Sequence, residues 1–338
     1  MSSVDESAEI RAYAPGGIGN LGPGLDVLGC ALTGAGDEVH AWWTDEPGVT
    51  VVDAGHPEIP ADPARNACAI AASWVIARAT GIDAHGARPF RGRGVALRSH
   101  KGLPLSAGQG GSSASAVAAA VAVNQLVAAA GGDALDRVGL LQAALSAEAA
   151  VAGRHLDNLA ASLMGGVICV RAIDPPDVSN VPVGVDLWFA LALPAIRIRT
   201  ADARAVLPQW YPRDILIAQL ASVASLVTAL CTGDLALIGR SLTDYVAEPP
   251  RAVLVPGFAD AKLAALEAGA LGASLSGSGP TTFAACGSEI DALAAAEAMR
   301  WAYEAAGHSC TTRVATIDFA GARWAPGSGE GGPVVAGR

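Results

Sequence analysis

The sequence has 338 residues, more than a single hydrophobic core usually organises, so we expect two domains. Apolar residues make up 51% of it and charged residues 16%, which is typical of packed globular proteins and excludes a disordered chain. The formal net charge of −10 argues against a nucleic-acid partner, because a phosphodiester backbone is bound by basic surfaces.

The cysteines and the apolar stretches narrow the class of protein further. Six cysteines are scattered without a CxxC pair, which favours reduced thiols over a disulfide framework or a cysteine zinc site. The acidic first residues lack the basic and apolar regions of a signal peptide. The most apolar stretch, 114–130, contains Asn124 and Gln125, so it predicts a buried helix rather than a bilayer span. We therefore expect a cytoplasmic protein without a membrane partner.

The first half of the chain mixes predicted strands and helices. β-Branched and aromatic runs predict strands, and apolar residues at helical spacing predict helices. In chain order these are strands at 9–16, 37–43 and 49–55, a helix at 66–81, a strand within 94–105, helices at about 112–130 and 136–151, and a short helix followed by a strand within 153–173. The proline-rich segment 174–182 predicts a joint between two domains.

The second half has the same mixed character, and neither half shows a repeat period. The predicted elements are a strand at 185–194, helices at about 213–231, from about 235 and within 257–272, a strand–loop–strand unit at 273–286, a helix near 288–306 and a last strand at 311–319. The sequence therefore predicts an α+β protein with domains at 8–173 and 174–322. We expect the Gly/Pro/Ser-rich segment 323–338 to be a disordered tail.

Three glycine-rich loops are candidate binding elements: 14–26, 106–115 and 274–282. Only the middle loop opens a helix, for which Ser112 or Ser113 is the predicted N-cap. Backbone N–H groups at a helix N-terminus favour an anion, and glycines allow a phosphate to approach closely. Serine hydroxyls can bind a phosphate oxygen or a magnesium ion. The alternative for each loop is a tight turn in which glycine serves only a positive φ.

Two familiar phosphate-binding motifs do not apply here. No lysine follows the last glycine of the middle loop, so it is not a Walker A loop. A GxGxxG match at 17–22, with Asp37 downstream, is interpreted as chance, because the residues after it cannot form the crossover helix of a dinucleotide-binding fold.

The order of the loops, with the residues around them, resembles the GHMP kinase family. That family has a proline-led N-terminal segment, a central P-x-x-x-G-x-G-S-S-A loop and a late glycine-rich loop. Within it the likeness is greatest to the homoserine kinases, over about residues 10–320. The segments that carry it are NLGPGLDVLGCAL (20–32), HLDNLAASLMGG (155–166), IRTADARAVLP (198–208), AEPPRAVLVPGF (247–258) and LSGSGPTTFA (275–284).

The resemblance implies both a fold and a reaction. The fold would be the two-domain GHMP kinase fold, with an N-terminal domain like the second domain of ribosomal protein S5 and a ferredoxin-like α+β C-terminal domain. The reaction would be phosphoryl transfer from MgATP to the side-chain hydroxyl of L-homoserine, giving O-phospho-L-homoserine on the way to threonine. Such a transfer depends on positioning and charge neutralisation.

The resemblance also implies the site residues. The nucleotide-binding residues would be Asn66, Lys101, Gly108, Gly110, Gly111, Ser112, Ser113 and Ala114. The magnesium ligands would be Ser113 and Glu148. The substrate-binding residues would be Asn20, Asp26, His155, Asn158, Arg204 and Arg251, and the catalytic residues Asn158, Thr200 and Arg204. The residue types agree with this assignment, because a zwitterion needs a carboxylate for its ammonium and a guanidinium for its carboxylate.

The chain departs from the family pattern at two places. The middle loop reads GQGGSSA, one residue longer than the usual GLGSSA, and one residue fewer separates Glu148 from HLDN. Each site residue also has an ordinary structural alternative, such as a turn cap, a core histidine or a surface ion pair. The alternative functions are a GHMP kinase for another small alcohol, mevalonate-like or a sugar, and a nucleotide-binding regulator without turnover. The composition also suggests a homodimer.

Overall fold

The structure, a computed structural model, describes residues 9–79, 92–326 and 332–333. Its larger sheet has the strand order β12-β11-β1-β2-β4-β3, with β5 and β6 continuing from β2. These strands are β1 (Ile10–Gly19), β2 (Leu28–Thr44), β3 (Gly48–Asp53), β4 (Gly94–His100), β5 (Val167–Ile173), β6 (Pro176–Val181), β11 (Arg323–Pro326) and β12 (Gly332–Pro333). Because β1 pairs antiparallel with β2, the GxGxxG match has no crossover helix after it, as the sequence predicts.

Four helices pack on this sheet. They are α1 (Ala67–Arg78), α2 (Gly111–Ala129), α3 (Arg137–Val151) and α4 (Asp157–Met164). The long helix α2 lies at the centre and is buried along most of its length, with alanine and valine as its main side chains. Small side chains let neighbouring helices approach closely, so α2 can pack between α1, α3 and the sheet.

The N-cap of α2 differs from the predicted one. The cap residue is Gly110, with a left-handed φ of 71°, and no side chain caps the helix. Glycine is favoured at this position because a positive φ is costly for residues with a Cβ. The predicted caps, Ser112 and Ser113, lie inside the first turn instead.

The smaller sheet is antiparallel and has the order β10-β7-β9-β8. Its strands are β7 (Trp188–Pro194), β8 (Gly272–Leu275), β9 (Thr282–Cys286) and β10 (Cys310–Thr316), and the associated helices are α5 (Thr200–Ala205), α6 (Arg213–Thr232), α7 (Leu235–Ser241), α8 (Glu248–Ala252), α9 (Phe258–Glu267) and α10 (Glu289–Ala305). The two sheets share an apolar cluster, since Ile18 and Leu28 of the larger sheet belong to one core with Phe189 and Phe283.

Two segments differ from the sequence prediction. The expected joint at 174–182 contains β6, which pairs with β5 inside the larger sheet, so we propose that the domain boundary follows Val181. The expected tail begins instead with β11, which pairs with β1, and Trp324 packs against the main core. Of the remaining tail, only 332–333 is described, as β12 beside β11. Both misjudged strands depend on partners that local sequence does not reveal.

Two helices in the described ranges are long and apolar enough, by length and composition alone, to cross a membrane. The most apolar window of α2 is 78% buried inside the protein, as expected for a core helix. The corresponding window of α6 is 28% buried, and this helix exposes Leu216, Ile217 and Leu220.

Asn124, the polar residue in the middle of α2, supports the chain that follows the helix. It is 2% exposed, its Nδ2 donates to the Leu135 carbonyl at 3.1 Å, and its Oδ1 accepts from the Leu135 N–H at 2.8 Å. We expect Asn124→Ala to lower the free energy of unfolding by about 1–3 kcal/mol, because both backbone groups of Leu135 lose their buried partner. Denaturant unfolding measures this change. Gln125→Ala, at the next and half-buried position, is the control, and an equal loss in both variants would contradict the assignment.

Candidate functional site

The three glycine-rich loops meet at the N-terminus of α2. Gly17 donates its backbone N–H to the carbonyl of Gln109 at 3.1 Å, and Ser276 donates its hydroxyl to the carbonyl of Gly108 at 2.7 Å. A Cβ on Gly108 would lie 2.7 Å from the carbonyl oxygen of Gly279, and a Cβ on Gly16 would lie 2.9 Å from that of Gln109. The glycines are therefore required for the close approach of three backbones, and the reading of each loop as an isolated turn does not account for this convergence.

A cavity of about 760 Å³ opens where the loops meet. The predicted site residues that line it are Asn20, Asp26, Asn66, Lys101, Gly108, Gly110, Gly111, Ser112, Ser113, Glu148, His155, Asn158, Thr200, Arg204 and Arg251. Ala114 is the exception. It is fully buried inside α2, and its backbone N–H already donates to the Gly110 carbonyl at 2.9 Å, so that amide is not directed at the cavity.

The first turn of α2 faces a buried carboxylate. Ser112 donates its hydroxyl to Oε2 and Oε1 of Glu148, at 3.0 and 3.2 Å. Glu148 is 2% exposed, and burial raises the pKa of its carboxyl group, while His155 and the serine hydroxyls oppose that shift. A bound cation would stabilise the ionised form of such a carboxylate. Carboxylate and hydroxyl oxygens at one helix end, with Ser113 beside them, are the hard donors that Mg²⁺ prefers.

His155 lies between two buried acids. Its Nδ1 is 3.8 Å from Oε1 of Glu148 and 3.9 Å from Oδ1 of Asp157. In the described part of the chain, Nε2 of His155 and Oδ1 of Asp157 are buried without a hydrogen-bond partner. Burial raises the pKa of Asp157, and the positive charge of a protonated His155 would lower it. Both residues line the cavity, so these buried atoms are available to hydrogen-bond a ligand.

Asp157 is a site residue that the sequence analysis missed. Its Oδ2 accepts the backbone N–H of Asn20 at 3.2 Å and contacts Nδ2 of Asn158 at 3.5 Å, so it holds two predicted substrate residues together. An acid in the first turn of a short helix is ordinarily explained by the helix dipole. The only signal for a further role is its position between His155 and Asn158 in the HLDN segment.

The charged residues that are predicted to bind the substrate form one cluster across the cavity. Arg204 of α5 donates to both carboxylate oxygens of Asp26, at 2.5 and 2.6 Å. Arg251 of α8 is 3% exposed and donates to the carbonyls of Ala203 and Gly277. Burial, followed by the positive charge of Arg204, lowers the pKa of the Arg251 guanidinium. The hydrogen bonds of Arg251 go to carbonyls rather than to a carboxylate, so its charge could pair with an anionic group of a ligand.

The loop after β1 has an unusual backbone. Asn20, Leu21 and Asp26 all have left-handed φ values, of 68°, 44° and 58°. This region is costly for residues other than glycine and is tolerated where surrounding contacts fix the chain. Here Oδ1 of Asn20 accepts the backbone N–H of Asp26 at 3.2 Å. The side chain of Asn20 thus helps to stabilise the strained loop, in which the Asp26 carboxylate lines the cavity.

Two of the predicted nucleotide residues are engaged within the protein. Lys101 contacts the Asp37 carboxylate and donates to the Gly111 carbonyl at 3.1 Å and to the Ser115 hydroxyl at 2.9 Å. Asn66 caps α1 by accepting the Ala69 N–H at 3.2 Å. Both line the cavity, but their polar atoms support the surrounding chain. Asp37 is 1% exposed, and its carboxylate holds Lys101 in place beside the loop.

Family models and relatives agree with this geometry. The model for the GHMP kinases N terminal domain matches residues 68–166, and the model for GHMP kinases C terminal matches residues 226–305. The chain is 38% identical over 308 residues to a homoserine kinase of Chlorobium phaeobacteroides, which covers 87% of this chain and 92% of the relative. It is also 38% identical over 325 residues to a homoserine kinase of Arabidopsis thaliana, covering 93% of this chain and 84% of the relative.

Solved structures give the same result. The crystal structure of a homoserine kinase from Cytophaga hutchinsonii superposes with a TM-score of 0.85 at 35% identity, covering 96% of this chain and 99% of that one. A mevalonate kinase from L. major, at 19% identity and a TM-score of 0.67, shares the fold. The two-domain α+β fold expected from the sequence is thereby confirmed. The chain belongs to the GHMP kinase family of ATP-dependent kinases.

Proposed function

We propose that this protein phosphorylates the side-chain hydroxyl of L-homoserine with ATP, giving O-phospho-L-homoserine. The observation that carries the proposal is the single cavity in which the N-terminus of α2 lies beside Asp26, Arg204 and Arg251. One part of the cavity suits a polyphosphate, and the other suits an amino acid. Relatives named homoserine kinase, at 38% identity over most of the chain, support the choice of substrate.

The phosphates of ATP would bind at the start of α2. Gly110 and Gly111 present backbone without side chains there, and the helix dipole adds partial positive charge. Ser113 and Glu148 would hold Mg²⁺, which neutralises charge on the transferring phosphoryl group when bound. Asn66 and Lys101 would lie along the nucleotide, on the side of the cavity formed by the loop before α1 and the end of β4.

Homoserine would bind by replacing an internal ion pair. In the free protein Asp26 and Arg204 neutralise each other, and both are about one-third exposed. A zwitterion can take both partners at once, with its ammonium on Asp26 and its carboxylate on Arg204 and Arg251. The zwitterion would supply each partner with a new opposite charge, so the charges of Asp26 and Arg204 stay paired during the exchange. An alcohol without these two charges would leave Asp26 and Arg204 paired with each other.

Catalysis would rest on positioning and electrostatics. The homoserine oxygen forms a bond to the γ-phosphorus while the bond from that phosphorus to the bridging oxygen of ADP breaks, and the hydroxyl proton is released. Asn158 would orient the hydroxyl, since its amide is fixed by Asp157. Thr200, at the start of α5, and Arg204 would stabilise charge on the transferring group.

A panel of alcohols with ATP tests the proposed function. ADP release is measured with homoserine, mevalonate and galactose, and phosphohomoserine is identified by mass spectrometry. We expect ADP release that depends on homoserine. Release with another alcohol alone would assign a different GHMP kinase substrate, and ATP binding without release would indicate a regulator; either outcome contradicts the proposal.

The pathway, the cellular location and the partners of the enzyme are also part of the proposal. We infer a step in threonine biosynthesis, a cytoplasmic location and action on small molecules without nucleic-acid or membrane partners. The homodimer expected from the sequence is likewise a proposal, which sedimentation of the purified protein measures.

Asp26→Asn should raise KM for homoserine about 10- to 100-fold, because the amide cannot pair with the substrate ammonium and a charged hydrogen bond contributes about 1.5–3 kcal/mol. KM for ATP should change far less. Steady-state kinetics with each substrate varied in turn measures the difference. The control is Asp202→Asn on α5, which removes a carboxylate that pairs with exposed Arg199, the residue before that helix. Equal effects of Asp26→Asn on both substrates would contradict its role.

Glu148→Gln should raise the Mg²⁺ concentration needed for half-maximal activity by about tenfold or more, because a neutral amide binds Mg²⁺ much less well than a carboxylate. A magnesium titration at saturating ATP measures the change. Ser146→Ala is the control on the same helix, since the Ser146 hydroxyl donates to its own helix at the Ala143 carbonyl. An unchanged titration for Glu148→Gln would remove Glu148 from the proposed metal site.

A further inference from the structure

The glutamine of the lengthened phosphate loop has a defined place in the structure. The loop reads GQGGSSA, and its glutamine, Gln109, is 5% exposed although its neighbours Gly108 and Gly110 line the cavity. Both glycines have left-handed φ values, of 73° and 71°. The side chain of Gln109 therefore points away from the cavity, between two residues whose backbone conformation needs the absence of a Cβ.

The Gln109 amide is fully engaged with the C-terminal half of the chain. Its Nε2 donates to the hydroxyl of Thr281 at 3.1 Å. Its Oε1 accepts from Nε and Nη2 of Arg313, at 3.3 and 3.2 Å. Arg313 lies on β10, and its Nη1 donates to the carbonyl of Thr33 on β2 at 3.0 Å. One loop side chain thus links the late glycine-rich loop, the smaller sheet and the larger sheet.

Arg313 is an unusual partner for a neutral amide. Burial lowers the pKa of its guanidinium, and among the described residues its hydrogen bonds go to amide and carbonyl oxygens rather than to a carboxylate. A buried charge without hydrogen-bond partners costs free energy, so the guanidinium of Arg313 needs the Gln109 side-chain carbonyl oxygen as an acceptor. In return, Arg313 holds the Gln109 side chain in one orientation. The Gln109–Arg313 pair is therefore a rigid support on the side of the loop that faces away from the cavity.

We propose that Gln109 and Arg313 are positioning residues that fix the phosphate loop for nucleotide binding. This inference rests on the proposed function, in which the loop holds the phosphates of ATP. A loop of glycines has many accessible conformations, and binding a phosphate requires its N–H groups to converge in one of them. The anchored glutamine removes that freedom before ATP arrives. The side chain at position 109 in this way stabilises the longer loop.

Gln109→Leu tests the proposal, because leucine keeps the volume and removes every side-chain hydrogen bond. We expect KM and Kd for ATP to rise about tenfold, as for the loss of one charged hydrogen bond, with KM for homoserine changed less than about twofold. Arg313→Met should have the same effect. The double variant should be no worse than either single one, because both remove the same link. Arg313→Lys, which keeps the charge and one donor, should recover part of the affinity.

Direct binding of ATP by calorimetry separates this inference from the proposed function. If the unaltered protein does not bind ATP, both the proposed function and this inference are contradicted. If it binds ATP but does not phosphorylate homoserine, only the proposed function is contradicted. Wild-type ATP affinity in folded Gln109→Leu would overturn the inference alone. Should that variant not fold, Thr281→Val removes one partner of Gln109 and is expected to weaken ATP binding about threefold. Asn124→Ala controls for lost stability, and we expect unchanged ATP affinity from it.

Discussion

The structure depends on the close approach of three backbones at the start of α2. Gly16 of β1 and Gly108 in the middle loop each face a backbone carbonyl of another loop at a distance that leaves no room for a Cβ. This contact joins the two sheets at the one place where α2 presents its N-terminus. The cavity, the end at which we propose that phosphates bind and the charged end proposed for the amino acid all depend on that junction. A Cβ on Gly17 would lie 2.1 Å from the carbonyl oxygen of Cys30 on β2, so glycine is required there as well.

Charge divides the cavity into two functional parts. At the α2 end, Glu148 is the buried carboxylate, held by Ser112 and close to His155. At the other end, Asp26 and Arg204 neutralise each other, with Arg251 buried beside them. In the proposed function, a phosphate donor and a zwitterionic acceptor would use these separate surfaces of one cavity. Asp157 connects the two parts, since it lies near His155 and bonds to Asn20.

Local signals predicted those parts of the structure that local chemistry determines. The alanine-rich helix α2, the capped helix α3 and the glycine loops have periodicity, caps or turn residues that can be recognised in sequence. The strands β6 and β11 and the short helices α5 and α8 were missed because their stability comes from distant partners. The site residues likewise divide into those that sequence patterns could identify and those that depend on distant contacts. Asp26 and Arg251 could be assigned through a family resemblance, whereas the contacts of Gln109 with Arg313 join residues far apart in sequence.

The central claim is that the amides at the start of α2 hold the γ-phosphate beside a pocket for a zwitterion. The most direct measurement is a crystal structure of the protein with a non-hydrolysable ATP analogue, Mg²⁺ and homoserine. The account predicts phosphate oxygens within hydrogen-bond distance of the N–H groups at 110–113, and a homoserine hydroxyl in line with the γ-phosphorus. It also predicts that the amino acid separates Asp26 from Arg204. An analogue bound elsewhere, with those amides free and the Asp26–Arg204 pair intact, would contradict it.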